Sequence, residues 1–153
     1  KHGRWKMVFD GDDLNEVYYF GDENIEYTKR TGIDTLFTQD CGAGLEEEEL
    51  DVAEGTAAMT VLHKGCNCVV LRTQRYTRRM CYSPAYFIDP APFARYRADH
   101  LNEYYRRAAA PFLYNEYDGL RFKYVYTATA IEPMSLSDAV FELPDLPHKA
   151  WGL

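Results

Sequence analysis

The sequence lacks any apolar run close to the roughly 20 residues that a membrane-spanning helix requires, so we predict no membrane span. It also lacks an excess of basic residues. The 17 Lys and Arg side chains are outnumbered by 24 Asp and Glu, which gives a net charge of −7. Proteins that bind nucleic acids or anionic membranes contact phosphates with clustered Lys and Arg. We therefore predict no nucleic-acid partner.

Known catalytic motifs are missing as well. The sequence contains no G-x-S-x-G, no P-loop and no G-x-G-x-x-G, and its four histidines are scattered along the chain. Carboxylates are abundant, and no pair of them stands out as catalytic. We predict a protein that is not an enzyme, that has no cofactor and no metal site, and that has room for a bound lipid or pigment.

Cysteine is scarce, with one residue at each of positions 41, 66, 68 and 81. Side chains alternate between faces along a strand, so Cys66 and Cys68 are expected on the same face, and they should not bond each other. Either can accept a partner from the segments that hold Cys41 and Cys81. Disulfides among these four would indicate a secreted or luminal protein. A zinc site of the four cysteines near His63, or free thiols, are the alternatives.

Short strands joined by turns dominate the first half of the chain. The predicted strands are residues 3–10, 16–20, 25–29 and 34–38, with turn sequences at 10–13, 21–24 and 31–32. Such tight turns predict an antiparallel meander, because parallel neighbours need crossovers of a dozen or more residues. Residues 57–63 and 66–73 are predicted to form a further hairpin, in which Gly65 supplies the positive φ of the turn.

One helix is predicted in the second half. Asp89 is a candidate N-cap, Pro90 fits the first helical position, and the helix over residues 91–109 stops before Pro111. The expected apolar stripe consists of Phe93, Ala94, Leu101, Tyr104, Tyr105 and Ala108. Pairs four residues apart, Arg95 with Asp99 and Glu103 with Arg107, are expected on the solvent side.

The remaining segments are assigned by composition. Residues 45–54 are acidic and predicted to face solvent, and the basic segment 72–79 is their expected ion-pairing partner. The chain is predicted to be irregular from residue 75 to 84 and to form a Tyr-rich connection at 115–119. Strands are expected at 121–130 and 139–143, followed by an extended C-terminal tail over residues 144–153.

Tyrosine is abundant, with 13 residues in a chain that is 15% aromatic. Tyr combines an apolar ring with a hydroxyl, which suits a partly polar cavity or a large interface. If the sheet curves around the helix, its apolar side chains line a pocket; the alternative is a filled core. The candidate ligand-binding residues are Tyr19, Tyr27, Leu36, Val61, Val69, Leu71, Leu101, Tyr105, Tyr124 and Tyr126.

Three local patterns suggest a family: EVYYFGDENIEYTKRTG at 16–32, HKGCNCVVL at 63–71 and AVFELP at 139–144. Their order around a helix and a long strand resembles the superfamily of bacterial LolA-type lipoprotein carriers, ependymin-related proteins and eukaryotic LolA-like domains. The resemblance implies a half-barrel with helical cover that holds a lipid or another hydrophobic ligand. The opening Gly3-Arg4-Trp5 is similar to the G-x-W of lipocalins, which would imply a closed β-calyx around such a ligand.

Together these patterns predict one domain over residues 1–153, mainly β with one prominent helix (α+β). Its architecture would be a curved antiparallel sheet or half-barrel packed on the helix. The predicted function is a non-catalytic carrier of a hydrophobic small molecule such as a lipid, fatty acid or pigment. The alternative is an interaction subunit of a larger assembly, which uses its Tyr-rich surface to bind a protein partner or a second copy of itself.

Overall fold

The computed structural model describes residues 3–9, 15–43 and 49–151, without the side chains of 56–58. The fold is mainly β with one helix, as predicted. The strands of the described residues form two five-stranded sheets, and neither closes into a barrel. The prediction had a single curved sheet, whereas the structure has two sheets. A helical segment, residues 91–108, packs against them.

The first sheet contains the predicted meander. Its strands are β1 (Arg4–Phe9), β2 (Asn15–Phe20), β3 (Ile25–Arg30) and β4 (Leu36–Asp40), each antiparallel to the next. A further strand, β10 (His148–Ala150), pairs in parallel with β4. The predicted tail therefore includes a strand that completes this sheet.

The turns of the meander fix which residues share a face. The turn at 21–24 places Phe20 opposite Ile25, so that Tyr19 lies opposite Glu26. At the next turn Gly32 has a φ of 74°, a conformation in which glycine is favoured. The predicted turn at 10–13 lies outside the described residues.

The second sheet is an antiparallel series of longer strands. They are β5 (Asp51–Val61), β6 (Lys64–Arg72), β7 (Tyr76–Tyr82), β8 (Tyr114–Gly119) and β9 (Lys123–Thr127). The predicted hairpin is confirmed as β5 and β6, but the turn assignment was wrong. Val61 pairs with Lys64, so the turn consists of Leu62 and His63, whose φ angles are 51° and 59°, and not of Gly65.

Four other assignments differ from the prediction. The segment predicted to be irregular contains β7, and the Tyr-rich connection is β8. The strand predicted over 121–130 is limited to β9. The strand predicted over 139–143 is a 3₁₀ turn, Asp138–Phe141. The Arg-rich segment forms β7 and the Tyr-rich segment forms β8 because alternate residues of each pack on the interior.

The predicted long helix is broken. Two 3₁₀ turns, Ala91–Phe93 and Ala98–His100, precede α1, Leu101–Ala108. Asp99 and His100 adopt left-handed conformations with φ of 49° and 54°, which interrupts the helical path.

The predicted ion pairs and apolar stripe of this segment are confirmed only in part. Glu103 and Arg107 approach within 3.6 Å, as expected. The predicted partner of Asp99 was wrong, because Asp99 pairs with Arg78 and Arg95 instead donates to the carbonyl of Asp22. Ala94, a predicted stripe residue, is exposed.

The interior is divided into three apolar clusters. The central cluster joins both sheets and the helical segment; its members include Tyr19, Val69, Leu71, Met80, Phe93, Leu101, Tyr104 and Tyr105. A second cluster covers the other face of the second sheet and contains Val61, Cys66, Cys68, Cys81 and Leu113. A third covers the other face of the first sheet, where Tyr18, Phe20, Tyr27 and Leu36 contact Phe141 and Leu146.

Gly3 allows the start of β1 to approach the helical segment closely. Its φ is 55°, and a Cβ atom at this position would lie 1.9 Å from the Cβ of Pro92. Two residues later, Trp5 stacks on Tyr19 with ring centroids 5.8 Å apart. The G-x-W pattern is therefore explained here by close packing between β1 and the 3₁₀ turn.

One disulfide links β6 and β7. Cys68 lies directly opposite Cys81 in the register, and their sulfurs are bonded. Cys41 and Cys66 are buried free thiols. The prediction that Cys66 and Cys68 share a face is confirmed. Of the four cysteines that were candidates for disulfides, Cys68 and Cys81 form one.

We expect alkylation to separate these two classes of cysteine. Burial raises the pKa of the Cys41 thiol to about 12, so at about pH 8 the nucleophilic thiolate is scarce as well as inaccessible. Iodoacetamide should leave the native protein unmodified and add two groups after unfolding, and four after unfolding with a reductant, by intact mass. Four groups without reductant would contradict the assigned disulfide.

Candidate functional site

A cleft of about 400 Å³ lies between the first sheet, the helical segment and the second sheet. The residues that the first sheet contributes are Trp5, Met7, Phe9, Val17 and Glu26. Those from the helical segment and its flanks are Ile88, Tyr96, Asp99, Leu101, Tyr105, Pro111 and Phe112. The second sheet adds Arg78 and Tyr124. Most of this lining is apolar or aromatic, and three of the side chains are charged.

The first-sheet wall follows from strand alternation and register. Trp5, Met7 and Phe9 are alternate residues of β1 and point to one side. Val17 pairs with Met7, so it faces the same way. Glu26 joins this face because it lies opposite Tyr19, which in turn pairs with Trp5.

Glu26 is the acidic group of this wall. Its Oε2 atom accepts a hydrogen bond of 2.5 Å from the hydroxyl of Tyr96. Burial raises the pKa of the Glu26 carboxyl; the negative charge of Asp99 acts in the same direction, whereas the Tyr96 hydrogen bond and the charge of Arg78 oppose it. The same burial raises the pKa of the Tyr96 hydroxyl, which therefore remains a hydrogen-bond donor near neutral pH.

Arg78 is the basic group of the cleft, on the inner face of β7. The residue is only 5% exposed. Its Nε donates to Asn115 Oδ1 at 3.0 Å, and one terminal nitrogen lies 3.4 Å from Asp99 Oδ2. A buried guanidinium requires such partners, because an unpaired charge in the interior is strongly destabilising.

The break before α1 positions the acid that pairs with Arg78. Asp99 and His100 are both left-handed, a conformation that costs a non-glycine residue of order 1–3 kcal/mol. His100 Nδ1 is hydrogen-bonded to the Tyr76 hydroxyl at 2.8 Å, which holds the end of the break on the second sheet. Strained residues of this kind are concentrated at binding and catalytic sites.

The predicted ligand-binding residues separate into two groups. Leu101, Tyr105 and Tyr124 line the cleft, and Tyr126 lies beside it with its ring 4.8 Å from that of Tyr124. The others lie elsewhere. Tyr19, Val69 and Leu71 belong to the central cluster, Tyr27 and Leu36 to the cluster on the far face of the first sheet, and Val61 to the cysteine cluster.

Tyr27 and Leu36, two of the candidate ligand-binding residues, face away from the cleft. The turn at 21–24 pairs Tyr18 with Tyr27, so that Tyr27 faces away from Tyr19. Leu36 follows Tyr27, because it pairs with Lys29 two residues further along β3. The register, which the alternation within each strand does not reveal, decides both positions.

A series of stacked rings extends from the cleft to the edge of the second sheet. Tyr117 lies 5.1 Å from Tyr76 and 5.1 Å from Tyr124, and Tyr126 lies 6.1 Å from Phe9 of the first sheet. Aromatic side chains thus bridge the two sheets at one end of the cleft. They account for part of the tyrosine content noted in the sequence.

In the part of the chain that is described, no three His, Cys, Asp or Glu side chains are arranged to hold a metal ion. The zinc alternative is also at odds with the bond between Cys68 and Cys81. None of the helices in the described ranges has the length and apolar character needed to cross a membrane.

Comparison with known proteins gives no match to a family model, to a curated protein or to a solved structure. The resemblance to LolA-like, ependymin-related and lipocalin proteins therefore stays a prediction. The assignment of function depends on the geometry of the cleft.

Sequence reasoning missed the charged groups of the cleft and the phenol of Tyr96. Arg78 lies within the basic segment that was predicted to pair with the acidic residues 45–54, and Asp99 was assigned to the solvent side of a continuous helix. The period-2 pattern Tyr76, Arg78, Met80 was the available signal for Arg78, since it predicts a strand with these three residues on one face.

Proposed function

We propose that this protein is a non-catalytic binding protein for a hydrophobic small molecule that occupies the cleft between the two sheets and the helical segment. The observation that carries the proposal is the cleft itself. Its volume of about 400 Å³ lies within the usual range of small-molecule sites, about 300–1,000 Å³. Its mainly apolar lining with a few convergent polar groups has the composition of such sites.

Binding would be driven by burial of apolar surface, at roughly 25 cal/mol per Å². Leu101 and Tyr105 supply the apolar surface on α1, and Met7 and Val17 supply it on the first sheet. The polar groups would orient the ligand rather than provide most of its affinity. The lipid-carrier resemblance of the sequence agrees with this role.

Replacement of Tyr124 by Asp should abolish uptake of a neutral apolar fluorophore. Tyr124 lines the cleft from β9, and a carboxylate there would have to be desolvated against the ligand, which costs several kcal/mol. We expect N-phenyl-1-naphthylamine to gain fluorescence with the wild-type protein and to bind Tyr124→Asp at least tenfold more weakly. Fluorescence titration measures both.

Val125→Asp is the matched control for this experiment. Val125 is the next residue of β9, faces the opposite side and is 49% exposed, so the same new charge is placed in solvent. Its fluorophore affinity should equal that of the wild type. The proposal fails if the wild-type protein does not bind the fluorophore, or if a folded Tyr124→Asp protein binds it unchanged.

A second function, an interaction subunit, is favoured by the apolar surface around β9. Leu120 is 82% exposed, Phe122 58% and Tyr126 43%, on or beside an edge strand of the second sheet. Exposed apolar patches and open sheet edges are common protein interfaces. Native mass spectrometry of protein from its source separates the functions: a co-purified small molecule supports the carrier, and a stable multi-chain complex without one supports the subunit.

The disulfide is relevant to the compartment. Cross-links of this kind persist in secreted and luminal proteins and are rare in the cytosol. We include secretion or a luminal location in the proposal on this basis.

A further inference from the structure

The charges that line the cleft do not balance. Among the described residues of the lining, Arg78 is the one basic residue, whereas Glu26 and Asp99 both contribute carboxyl groups. The structure pairs Arg78 with Asp99, at 3.4 Å. Among the acids of the described lining, Glu26 is the one that forms no ion pair.

The surroundings of Glu26 support this assignment. Within the described ranges, no Lys, Arg or His nitrogen lies within 4.0 Å of its carboxylate, and Tyr96 is the one side chain that hydrogen-bonds to it. Holding a partly buried carboxylate without a cation is unfavourable, as the raised pKa of Glu26 indicates. A cation supplied from outside the chain would remove this cost.

The aromatic lining of the same cleft also suits a cation. Trp5, Phe9, Tyr105 and Tyr124 line it together with Glu26, and aromatic rings attract ammonium groups. The net charge of −7 adds a long-range field that favours the approach of cations and disfavours anions.

An anionic ligand fits the same groups less well. Arg78 already interacts with Asp99 at 3.4 Å, and its Nε is bound to Asn115 at 3.0 Å, so its charge is partly compensated before a ligand arrives. It would also lie in a cleft that holds two carboxyl groups. A neutral ligand would leave Glu26 without a counterion.

We infer that the ligand of this cleft is an organic amine with an apolar body, bound with its protonated nitrogen at the Glu26 carboxylate and its body against the aromatic walls. This inference rests on the proposed function and specifies the chemistry of its ligand. Tyr96 holds the Glu26 carboxylate in position from the helical side.

The test compares three probes that share one apolar body. Octylamine, 1-octanol and octanoate differ at the head group, which is cationic, neutral and anionic near neutral pH. Isothermal titration with the wild-type protein should give an affinity for octylamine at least tenfold higher than for octanol, since a charge-assisted hydrogen bond is among the stronger polar interactions. Octanoate should bind most weakly.

The variant Glu26→Gln isolates the carboxylate. It keeps an oxygen that can accept the Tyr96 hydrogen bond and removes the charge, so the preference for octylamine over octanol should fall about tenfold or more. Glu132→Gln is the matched control, because it makes the same change of net charge at an exposed residue outside the cleft. Circular dichroism and urea denaturation show whether Glu26→Gln is folded.

The outcomes separate this inference from the proposed function. Preference for octanol or octanoate, or an octylamine affinity that Glu26→Gln leaves intact, overturns the amine assignment and leaves an apolar binding protein. Failure of all three probes, together with failure of the neutral fluorophore, overturns both.

Discussion

Tyr19→Ala should lower the free energy of unfolding by about 3–5 kcal/mol, the range found when a large buried aromatic side chain is truncated. The Tyr19 ring is fully buried and stacks on Trp5 at 5.8 Å and on Phe93 at 5.7 Å, with the edge of Tyr96 at 4.8 Å. It therefore joins the first sheet to the helical segment. Domains of this size are stable by about 5–15 kcal/mol, so the loss is a large part of the total.

Two further variants separate the contributions at this site. Tyr19→Phe keeps the ring and removes a hydroxyl that lies 3.1 Å from Asn24 Oδ1 and 3.0 Å from the Pro92 carbonyl, so it should cost about 1–2 kcal/mol. Tyr126→Ala truncates a ring that is 43% exposed and should cost less than Tyr19→Ala. Urea denaturation followed by circular dichroism measures all three. If Tyr19→Ala and Tyr126→Ala lower the free energy of unfolding equally, Tyr19 does not link the first sheet to the helical segment.

Removal of the Cys68–Cys81 disulfide should lower the free energy of unfolding by about 3 kcal/mol. The two cysteines are 13 residues apart, and a cross-link that closes a loop of this length restricts the unfolded chain by about that amount. The double variant Cys68→Ala/Cys81→Ala should therefore unfold at a lower urea concentration than the wild type.

A reductant provides the control for the disulfide variant. Wild-type stability should fall when the bond is fully reduced, whereas the stability of the double variant should not respond, because its remaining Cys41 and Cys66 are free thiols. Thiol titration confirms the extent of reduction. Equal wild-type stability with the bond intact and fully reduced would contradict the expected contribution.

The sequence was sufficient to predict the meander and the hairpin of β5 and β6, because both depend on local turn chemistry and alternation. It was not sufficient to predict β7 and β8. Their inner faces carry Arg78 and Asn115, polar residues that are buried because they bond each other across neighbouring strands. Such compensation exists in the folded chain and leaves no periodic apolar signal.

The members of the cleft lining could be named only in part from the sequence. Leu101 and Tyr105 of α1 and Tyr124 of β9, all candidate ligand-binding residues, lie along it. Glu26 was missed because its face depends on the register across the turn at 21–24. Asp99 was missed because the left-handed break before α1 has no glycine or proline to mark it.

The parallel pairing of β10 with β4 joins segments from distant parts of the sequence, with Leu36 opposite His148 and the Trp151 ring 5.1 Å from that of Phe37. Closing so long a loop costs more entropy than closing the hairpins, so this contact is expected to form late in folding. Until then one side of β4 exposes unpaired backbone groups to other chains. The pairing of β10 covers this edge of β4, which would otherwise be open to pairing with another chain.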